Sequence, residues 1–196
     1  EYIDDLKQLF NHMGVSYIQA DGEAEAYASE LCRIGYVDAV VTEDMDTLVY
    51  ECPIMIRNCI DKNLKGPEMI TTFDLKKILN DFQMNIQEFT DLCILCGCDY
   101  CPTIPKVGSV RAFQYIQKYK SIDKYLQSDK CPEITNSFQT KYDPARKLFN
   151  IFRDKLDTDK LPINESSYDS DSLYNYLVND CSMSVKRVQN SLKKLK

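Results

Sequence analysis

The spacing of apolar positions predicts both helices and strands in the first sixty residues. Apolar side chains recur at helical intervals over residues 2–13, and small apolar residues predict a second helix from Asp21 to about Arg33. Short β-rich or unbroken apolar runs predict strands at 15–20, 37–41, 48–50 and 54–56. The run 37–41 is typical of a strand that is buried on both faces of a parallel sheet. This order predicts a β–α–β fragment of a doubly wound sheet.

The pattern changes at Thr72, after which helical spacing prevails. Helices are predicted at 73–79, 86–96, 107–119, 122–126, 145–156, 172–178 and 184–195. Stretches rich in Pro, Ser, Asn and Asp predict loops at 130–143 and 157–171. The chain is therefore predicted to be an α/β protein with two parts, residues 1–71 and residues 72–196.

Charge is spread unevenly between the two ends of the chain. Residues 1–50 hold eleven acids and two bases, whereas the whole chain has a net charge of only −6. After Asp180 the charged residues are all basic: Lys186, Arg187, Lys193, Lys194 and Lys196. This asymmetry favours a cation-binding amino-terminal part and a polyanion-binding carboxy-terminal part. Chance variation in surface charge is the alternative.

Nine cysteines and an acidic start predict an intracellular protein with reduced thiols. The cysteine count is odd, no signal peptide is recognisable, and no run of eighteen apolar residues is long enough to span a membrane. Cys93, Cys96, Cys98 and Cys101 have a spacing that zinc or an iron–sulfur cluster could use. We expect buried thiols instead, since Cys93 and Cys96 lie on an apolar stripe. His12 is predicted to lie on a polar helix face without partners, which argues against a Ser–His or Cys–His nucleophile.

Two acidic motifs suggest a site for divalent cations. Glu23 and Glu25 stand at a predicted helix start, and Asp44 and Asp46 directly follow a predicted strand, where ligands of open α/β sheets gather. Carboxylate oxygens are the ligands that Mg²⁺ prefers, and two such ions can activate water against a phosphodiester. Glu23 and Glu25 differ by roughly 200° around a helix, so one of them is expected to act through water. The alternatives are acids that complement a helix dipole and a polar turn after a strand.

A third acid, Asp99, follows an amphipathic helix and completes a recognisable series. The series comprises GVSY at 14–17, EAEA at 23–26, TEDMD at 42–46, DLCIL at 91–95, GCDYC at 97–101 and a hairpin-like stretch at 104–112. In this order the motifs resemble the flap endonuclease and XPG-type family of structure-specific 5′ nucleases, along essentially the whole chain.

The resemblance implies a fold and a set of metal ligands. Residues 1–71 would be the carboxy-terminal part of a PIN-like nuclease core with a partial parallel sheet, and residues 72–196 an all-helical region with a helix–hairpin–helix-type motif. Five of the seven family carboxylates around two Mg²⁺ ions are matched by Glu23, Glu25, Asp44, Asp46 and Asp99. The other two carboxylates, and an arch that orders the 5′ end, are expected from an amino-terminal region in the same gene or in a second chain.

The hairpin is the segment that we expect to bind the DNA backbone. Gly108 is predicted to take positive φ and so to leave the amides of Ser109 and Val110 free for a phosphate. Arg111 is retained from the family pattern, whereas Lys106 and Val110 replace a usual glycine and lysine. The resemblance further implies a K⁺ ion at this turn. An ordinary helix–turn–helix in a core is the alternative.

These observations lead to one main functional hypothesis, a Mg²⁺-dependent nuclease that cuts DNA near a 5′ flap in replication and repair. A non-catalytic DNA-junction-binding fragment that needs a separate amino-terminal part is the alternative. A nucleotide phosphohydrolase is disfavoured by the hairpin. The resemblance implies duplex DNA with a flap or junction as partner and a sliding clamp bound through residues beyond Lys196. It also implies a nuclear location in a eukaryote, or a viral replication site.

Overall fold

The computed structural model describes residues 2–59, 70–129, 131 and 136–194. Its helices are α1 Tyr2–Met13, α2 Ala24–Arg33, α3 Asp46–Val49, α4 Leu75–Phe82, α5 Ile86–Cys96, α6 Ser109–Tyr119, α7 Ile122–Leu126, α8 Asn136–Phe149, α9 Ser170–Asn175 and α10 Val185–Leu192. Its strands are β1 Tyr17–Ile18, β2 Val40–Val41, β3 Ile54–Arg57, β4 Thr71–Asp74 and β5 Ile163–Asn164. The mixed α/β class that the sequence predicts is confirmed.

The chain divides in space into two compact units. One unit is Asp21–Leu156, and the other combines Glu1–Ala20 with Asp157–Lys196. The boundary that the sequence suggests between residues 71 and 72 instead falls inside β4, which pairs with β3. As a division between functions, that boundary stays a prediction.

The sheet of the larger unit is small and mixed. Strand β2 runs parallel to β3, with Val40 opposite Met55, and β4 runs antiparallel to β3. Among the described residues, the order β2–β3–β4 leaves β2 at one edge of this sheet, and Val41 is 48% exposed. The prediction of a strand buried on both faces is therefore wrong. The predicted β–α–β fragment is right only in part: β2 and β3 are parallel with α3 between them, whereas β1 pairs with β5 in a separate two-stranded sheet.

Two other predictions of secondary structure also fail. Residues 48–50, predicted as a strand, form the end of α3 and its cap, because a short apolar run does not distinguish a buried helical turn from a strand. Helix α8 begins at Asn136, inside a predicted loop, and ends at Phe149. Its buried residues Phe138, Ala145 and Phe149 have helical spacing, but polar neighbours and Pro144 obscure the pattern.

Helices α5, α6, α7 and α8 enclose the main core of the larger unit. Helices α5 and α7 cover the lengths that the sequence predicts, and α5 begins with a capping box between Asn85 and Glu88. The most deeply buried side chains of this core include Ile94, Leu95, Ile104, Ile116, Ile122, Tyr125 and Phe138. A rigid helical base of this kind can hold the loops at its edges in fixed positions.

A buried ion pair joins these helices. Both oxygens of Asp91 accept hydrogen bonds of 2.6 Å from Arg146 of α8. One of them also accepts the amide of Ile122, at 2.8 Å. Arg146 binds Asp123 of α7 as well, at 2.8 Å. Asp91 belongs to the DLCIL motif, so this motif carries a structural contact between α5, α7 and α8.

The smaller unit is held by contacts between α1 and the segment that contains α9. His12 Nδ1 lies 2.7 Å from the Ser172 hydroxyl, and the His12 ring packs on Tyr176. The expectation that His12 lacks partners is therefore wrong. Gly14 has φ +67, and a Cβ there would lie 2.5 Å from the backbone nitrogen of Tyr168, so only glycine fits. Among the described residues, no helix combines the length and the apolar character needed to cross a membrane.

Candidate functional site

Four of the predicted site carboxylates stand at the ends of secondary-structure elements in the larger unit. Glu23 is the residue before α2, and Asp46 is the first residue of α3, a few residues beyond β2. Asp44 lies in the loop between β2 and α3, and Asp99 lies in the turn after α5. Glu23, Asp44 and Asp99 are exposed, whereas Asp46 is half-buried.

The loop after β2 is ordered by its own polar side chains. The amide of Asp44 donates to the Thr42 hydroxyl at 3.1 Å, and a carboxylate oxygen of Asp44 accepts the amide of Asp46 at 2.9 Å. Such short-range bonds are typical of Asp and Thr at turns that start a helix. They fix the backbone on which Asp44 and Asp46 stand.

Asp46 is the electrostatic centre of this group. Burial, together with the charges of Asp44 and Asp99, raises the pKa of Asp46 to about 6. Residues from two distant parts of the sequence therefore bring negative charge together at one place. We refer to Glu23, Asp44, Asp46 and Asp99 as the carboxylate cluster.

Two tyrosines that sequence reasoning missed lie next to the carboxylate cluster. The hydroxyl oxygens of Tyr50 and Tyr100 are 2.5 Å apart. Burial raises the pKa of both phenols, and the charges of Glu23 and Asp46 raise both as well. This places Glu23 near the same centre as Asp46. The sequence did contain a signal for both tyrosines, namely their closeness to predicted site acids. Tyr50 follows Asp46 by one helical turn, and Tyr100 follows Asp99 directly.

Glu25 is not linked to this centre by any contact of the described residues. It lies in the first turn of α2, half-buried, and its backbone carbonyl accepts a hydrogen bond from Ser29 at 2.6 Å. The expected difference in direction between Glu23 and Glu25 agrees with this separation. The assignment of all five acids as metal ligands stays a prediction.

Burial favours the protonated thiol at three of the four clustered cysteines, Cys93, Cys98 and Cys101. Burial raises the pKa of Cys93 to about 12 and that of Cys101 to about 11, and it also raises that of the half-buried Cys98. Cys96 is exposed, so its expected place on a buried stripe is wrong. A metal would need these groups as thiolates, which the raised pKa values disfavour.

The hairpin differs from the sequence prediction in which residue takes positive φ. Gly108 has φ −101 and ψ −176, an extended conformation, so the prediction of positive φ at this glycine is wrong. Lys106 has φ +65 instead. The amide of Val107 donates to the carbonyl of Ile104, which with Pro105 and Lys106 at the centre gives a type II turn.

The turn is nevertheless positioned to present charge and free amides. Arg111 Nη1 donates to the carbonyl of Lys106 at 2.7 Å, so the helix side chain holds the turn. Gly108 caps α6 without a side-chain bond, and the first amides of a helix have no intrahelical partner. Lys106, Ser109, Val110 and Arg111 are all exposed. The predicted DNA-binding residues therefore share one exposed surface, while their role stays a prediction.

Comparison with known proteins identifies the family. The family model named XPG I-region matches residues 14–99, which include every member of the carboxylate cluster. Flap endonuclease 1 of Debaryomyces hansenii is 39% identical over 203 aligned residues, covering 100% of this chain and 52% of that protein. The chain belongs to the flap endonuclease and XPG-type nuclease family. Flap endonuclease 1 of Entamoeba histolytica, a further relative in this family, is 37% identical and is covered to 51%.

Solved structures of the flap endonuclease and XPG-type family share the fold. Flap endonuclease-1 from Methanococcus jannaschii matches with a TM-score of 0.76 and 26% identity, covering 98% of this chain and 56% of that one. The catalytic core of Rad2 in complex with DNA substrate matches with a TM-score of 0.76 at 19% identity, covering 99% and 69%. The second match supports the fold alone. The chain spans about half the length of the curated relatives it matches.

The carboxylate cluster fits a divalent cation by its chemistry. Mg²⁺ prefers oxygen ligands and often keeps several waters, using only one or two carboxylates besides substrate phosphates. The raised pKa of Asp46 reflects first its burial and then the negative charge of Asp44 and Asp99, which a cation would offset. Among the described residues, no three His, Cys, Asp or Glu side chains are grouped so as to hold a metal ion. The exposed positions of Glu23, Asp44 and Asp99 leave room for water in the coordination of an ion.

Proposed function

We propose that this chain contributes the carboxylate cluster and the DNA-binding hairpin of a structure-specific nuclease that cuts DNA at 5′ flaps. The observation that carries the proposal is the convergence of Asp44 and Asp99 on the half-buried Asp46. Like charges at one site are unfavourable unless a cation or a proton offsets them. Family membership supports phosphodiester hydrolysis as the reaction that such a site serves.

In this proposal, Mg²⁺ would bind directly to one or two of Asp46, Asp44 and Asp99 and through waters to the others, with Glu23 in reach of those waters. A divalent cation bound there would stabilise charge on the phosphate and favour hydroxide as the nucleophile. The half-buried Asp46 needs its proton removed for this role, and a nearby cation would lower its pKa. The exposed acids leave room for waters and a phosphate beside the ion.

The hairpin would bind the duplex away from the carboxylate cluster, where cleavage would take place. The free amides at the start of α6 and the guanidinium of Arg111 offer donors to backbone phosphates, which carry no sequence information. Binding would then depend on the shape of the DNA rather than on its bases. A K⁺ ion at the turn belongs to the same proposal, as do a sliding clamp as partner and a location at sites of DNA replication.

The test separates metal chemistry from DNA binding. We expect Asp46→Ala to abolish Mg²⁺-dependent cleavage of a 5′-flap duplex while leaving duplex affinity within about twofold. We expect Arg111→Ala to weaken affinity for all sequences and to reduce the salt slope by about one, as for one lost phosphate contact. Unchanged cleavage in Asp46→Ala would overturn the assignment of the cluster, and unchanged affinity and slope in Arg111→Ala would overturn that of the hairpin.

A DNA-junction-binding fragment is the second candidate. It is favoured by the fact that the described acids do not by themselves group three ligands around one ion. In that case residues 1–196 would bind flap DNA without cutting it, and an added amino-terminal nuclease part would restore cleavage. Robust cleavage by residues 1–196 that Asp44→Ala abolishes would exclude this candidate.

A further inference from the structure

The Tyr50–Tyr100 pair has no part in the function proposed above, although both residues stand on the elements that carry the carboxylates. Tyr50 is the residue that ends α3, whose first residue is Asp46. Tyr100 directly follows Asp99 in the turn after α5. The two hydroxyls therefore meet where the two acidic motifs meet.

The phenol rings of Tyr50 and Tyr100 both pack against the same residue, Phe149. The ring centroids of Tyr50 and Tyr100 each lie 5.3 Å from that of Phe149 in α8, with tilted and edge-on geometry. Tyr50 is 7% exposed, while Tyr100 is half-buried. With an oxygen–oxygen distance of 2.5 Å, neither hydroxyl can move without disturbing the other.

The direction of this hydrogen bond determines which proton is available. Tyr50 is the more deeply buried phenol and its hydroxyl meets that of Tyr100, so we assign Tyr50 as the donor of this bond. Tyr100 is half-buried, so it can accept this bond and still reach a partner on its exposed side. A phenol has one proton, so Tyr100 keeps its own for an acceptor other than Tyr50. Both groups stay neutral at physiological pH.

An anionic ligand at this place meets strong repulsion from the protein. The charges of Glu23, Asp46 and Asp99 all act on the Tyr100 hydroxyl. A neutral O–H group can attract a phosphate oxygen here without adding to the charge that a cation must offset. A hydrogen bond to a charged acceptor is also stronger than one between neutral groups.

We propose that Tyr100 donates a hydrogen bond to a non-bridging phosphate oxygen of the nucleic acid at the carboxylate cluster, and that Tyr50 is the positioning residue that orients it. This inference rests on the proposed function, because it takes a nucleic-acid phosphate as the ligand. It assigns the pair a part in substrate binding, in addition to the packing of both rings on Phe149.

The experiment measures the affinity of the whole chain for a 5′-flap duplex in Ca²⁺, an oxygen-binding cation of looser geometry than Mg²⁺. We expect Tyr100→Phe to weaken binding about tenfold, the effect of one hydrogen bond to a charged group. A series of duplexes, each with one methylphosphonate near the flap junction, then locates the acceptor. In the diastereomer whose methyl group replaces the contacted oxygen, wild type and Tyr100→Phe should bind equally, since the acceptor oxygen is gone.

The role of Tyr50 is tested by non-additivity. We expect Tyr50→Phe to weaken binding less than Tyr100→Phe, and the double variant to bind no worse than Tyr100→Phe alone. A purely structural role would lower the melting temperature without giving a dependence on one phosphate. Tyr115→Phe, which removes a hydroxyl from a tyrosine stacked on Tyr125, is the matched control and should bind as wild type does.

The possible failures are distinguishable. If wild type binds flap DNA and Tyr100→Phe binds it equally well, or loses affinity equally on every methylphosphonate duplex, the inference is overturned while the proposed function stands. If wild type does not bind flap DNA above an unbranched single strand, the proposed function is overturned and this inference with it.

Discussion

Replacing Asp46 by Asn should stabilise the folded protein at high pH when no divalent cation is present. Burial and the charges of Asp44 and Asp99 hold the pKa of Asp46 at about 6, above the ordinary value of 3.8. The folded chain therefore carries an unfavourable charge whenever Asp46 is ionised. An amide of the same shape removes the charge and keeps the volume.

The magnitude follows from the pKa difference. About two pKa units correspond to roughly 3 kcal/mol of destabilisation at high pH, at about 1.4 kcal/mol for each unit. Asp46 is only half-buried, so solvent screening reduces the expected effect to about 1–2 kcal/mol.

The dependence on pH has a definite sign. Below about pH 4 the Asp46 carboxyl is protonated in both the folded and the unfolded chain, so it contributes nothing to the free energy of unfolding. From about pH 4 to pH 6 the unfolded chain has released the proton that the folded chain retains, so stability falls as pH rises. Above about pH 6 the loss is complete and constant. The gain from Asp46→Asn should therefore be near zero at pH 4 and full at pH 8.

Urea unfolding in EDTA at pH 4 and pH 8 measures this difference. Asp38→Asn, which changes an exposed acid outside the carboxylate cluster, is the matched control and should have no such pH dependence. Added Mg²⁺ should stabilise wild type more than Asp46→Asn, because the cation offsets the same charge. If Asp46→Asn were equally stable relative to wild type at both pH values, or less stable at pH 8, the reasoning would be refuted.

Substitutions at three further positions test the scaffold by urea unfolding. Arg146→Met should destabilise the protein by about 3 kcal/mol, because Asp91 would remain buried without its partner; a loss below 1 kcal/mol would contradict this. Lys106→Val should be less stable than Lys106→Gly by about 1–2 kcal/mol, since a β-branched residue tolerates positive φ poorly, and equal stability would argue against the left-handed turn. Gly108→Ala should change stability by less than about 0.5 kcal/mol, because a Cβ there meets nothing within 4 Å, and a large loss would contradict its extended backbone.

The sequence by itself determined the family and the residue types of the candidate site. Acidic motifs at fixed separations, such as Asp44 with Asp46 and the later Asp99, are visible without any structure because the chemistry depends on residue type and order. Regular amphipathic helices were equally accessible: α5 and α7 have the predicted bounds, since their spacing and capping residues are local signals.

Only the tertiary structure decided features that depend on distant neighbours. Residues 48–50 are helical, and Lys106 rather than Gly108 takes positive φ, because a turn held by Arg111 imposes that backbone on whatever residue stands there. The meeting of Tyr50 with Tyr100 and the raised pKa of Asp46 arise from chain segments about fifty residues apart in sequence. The burial of a side chain and the electrostatic effect of distant charges depend on every residue that folding brings near it. A local sequence pattern does not contain that information.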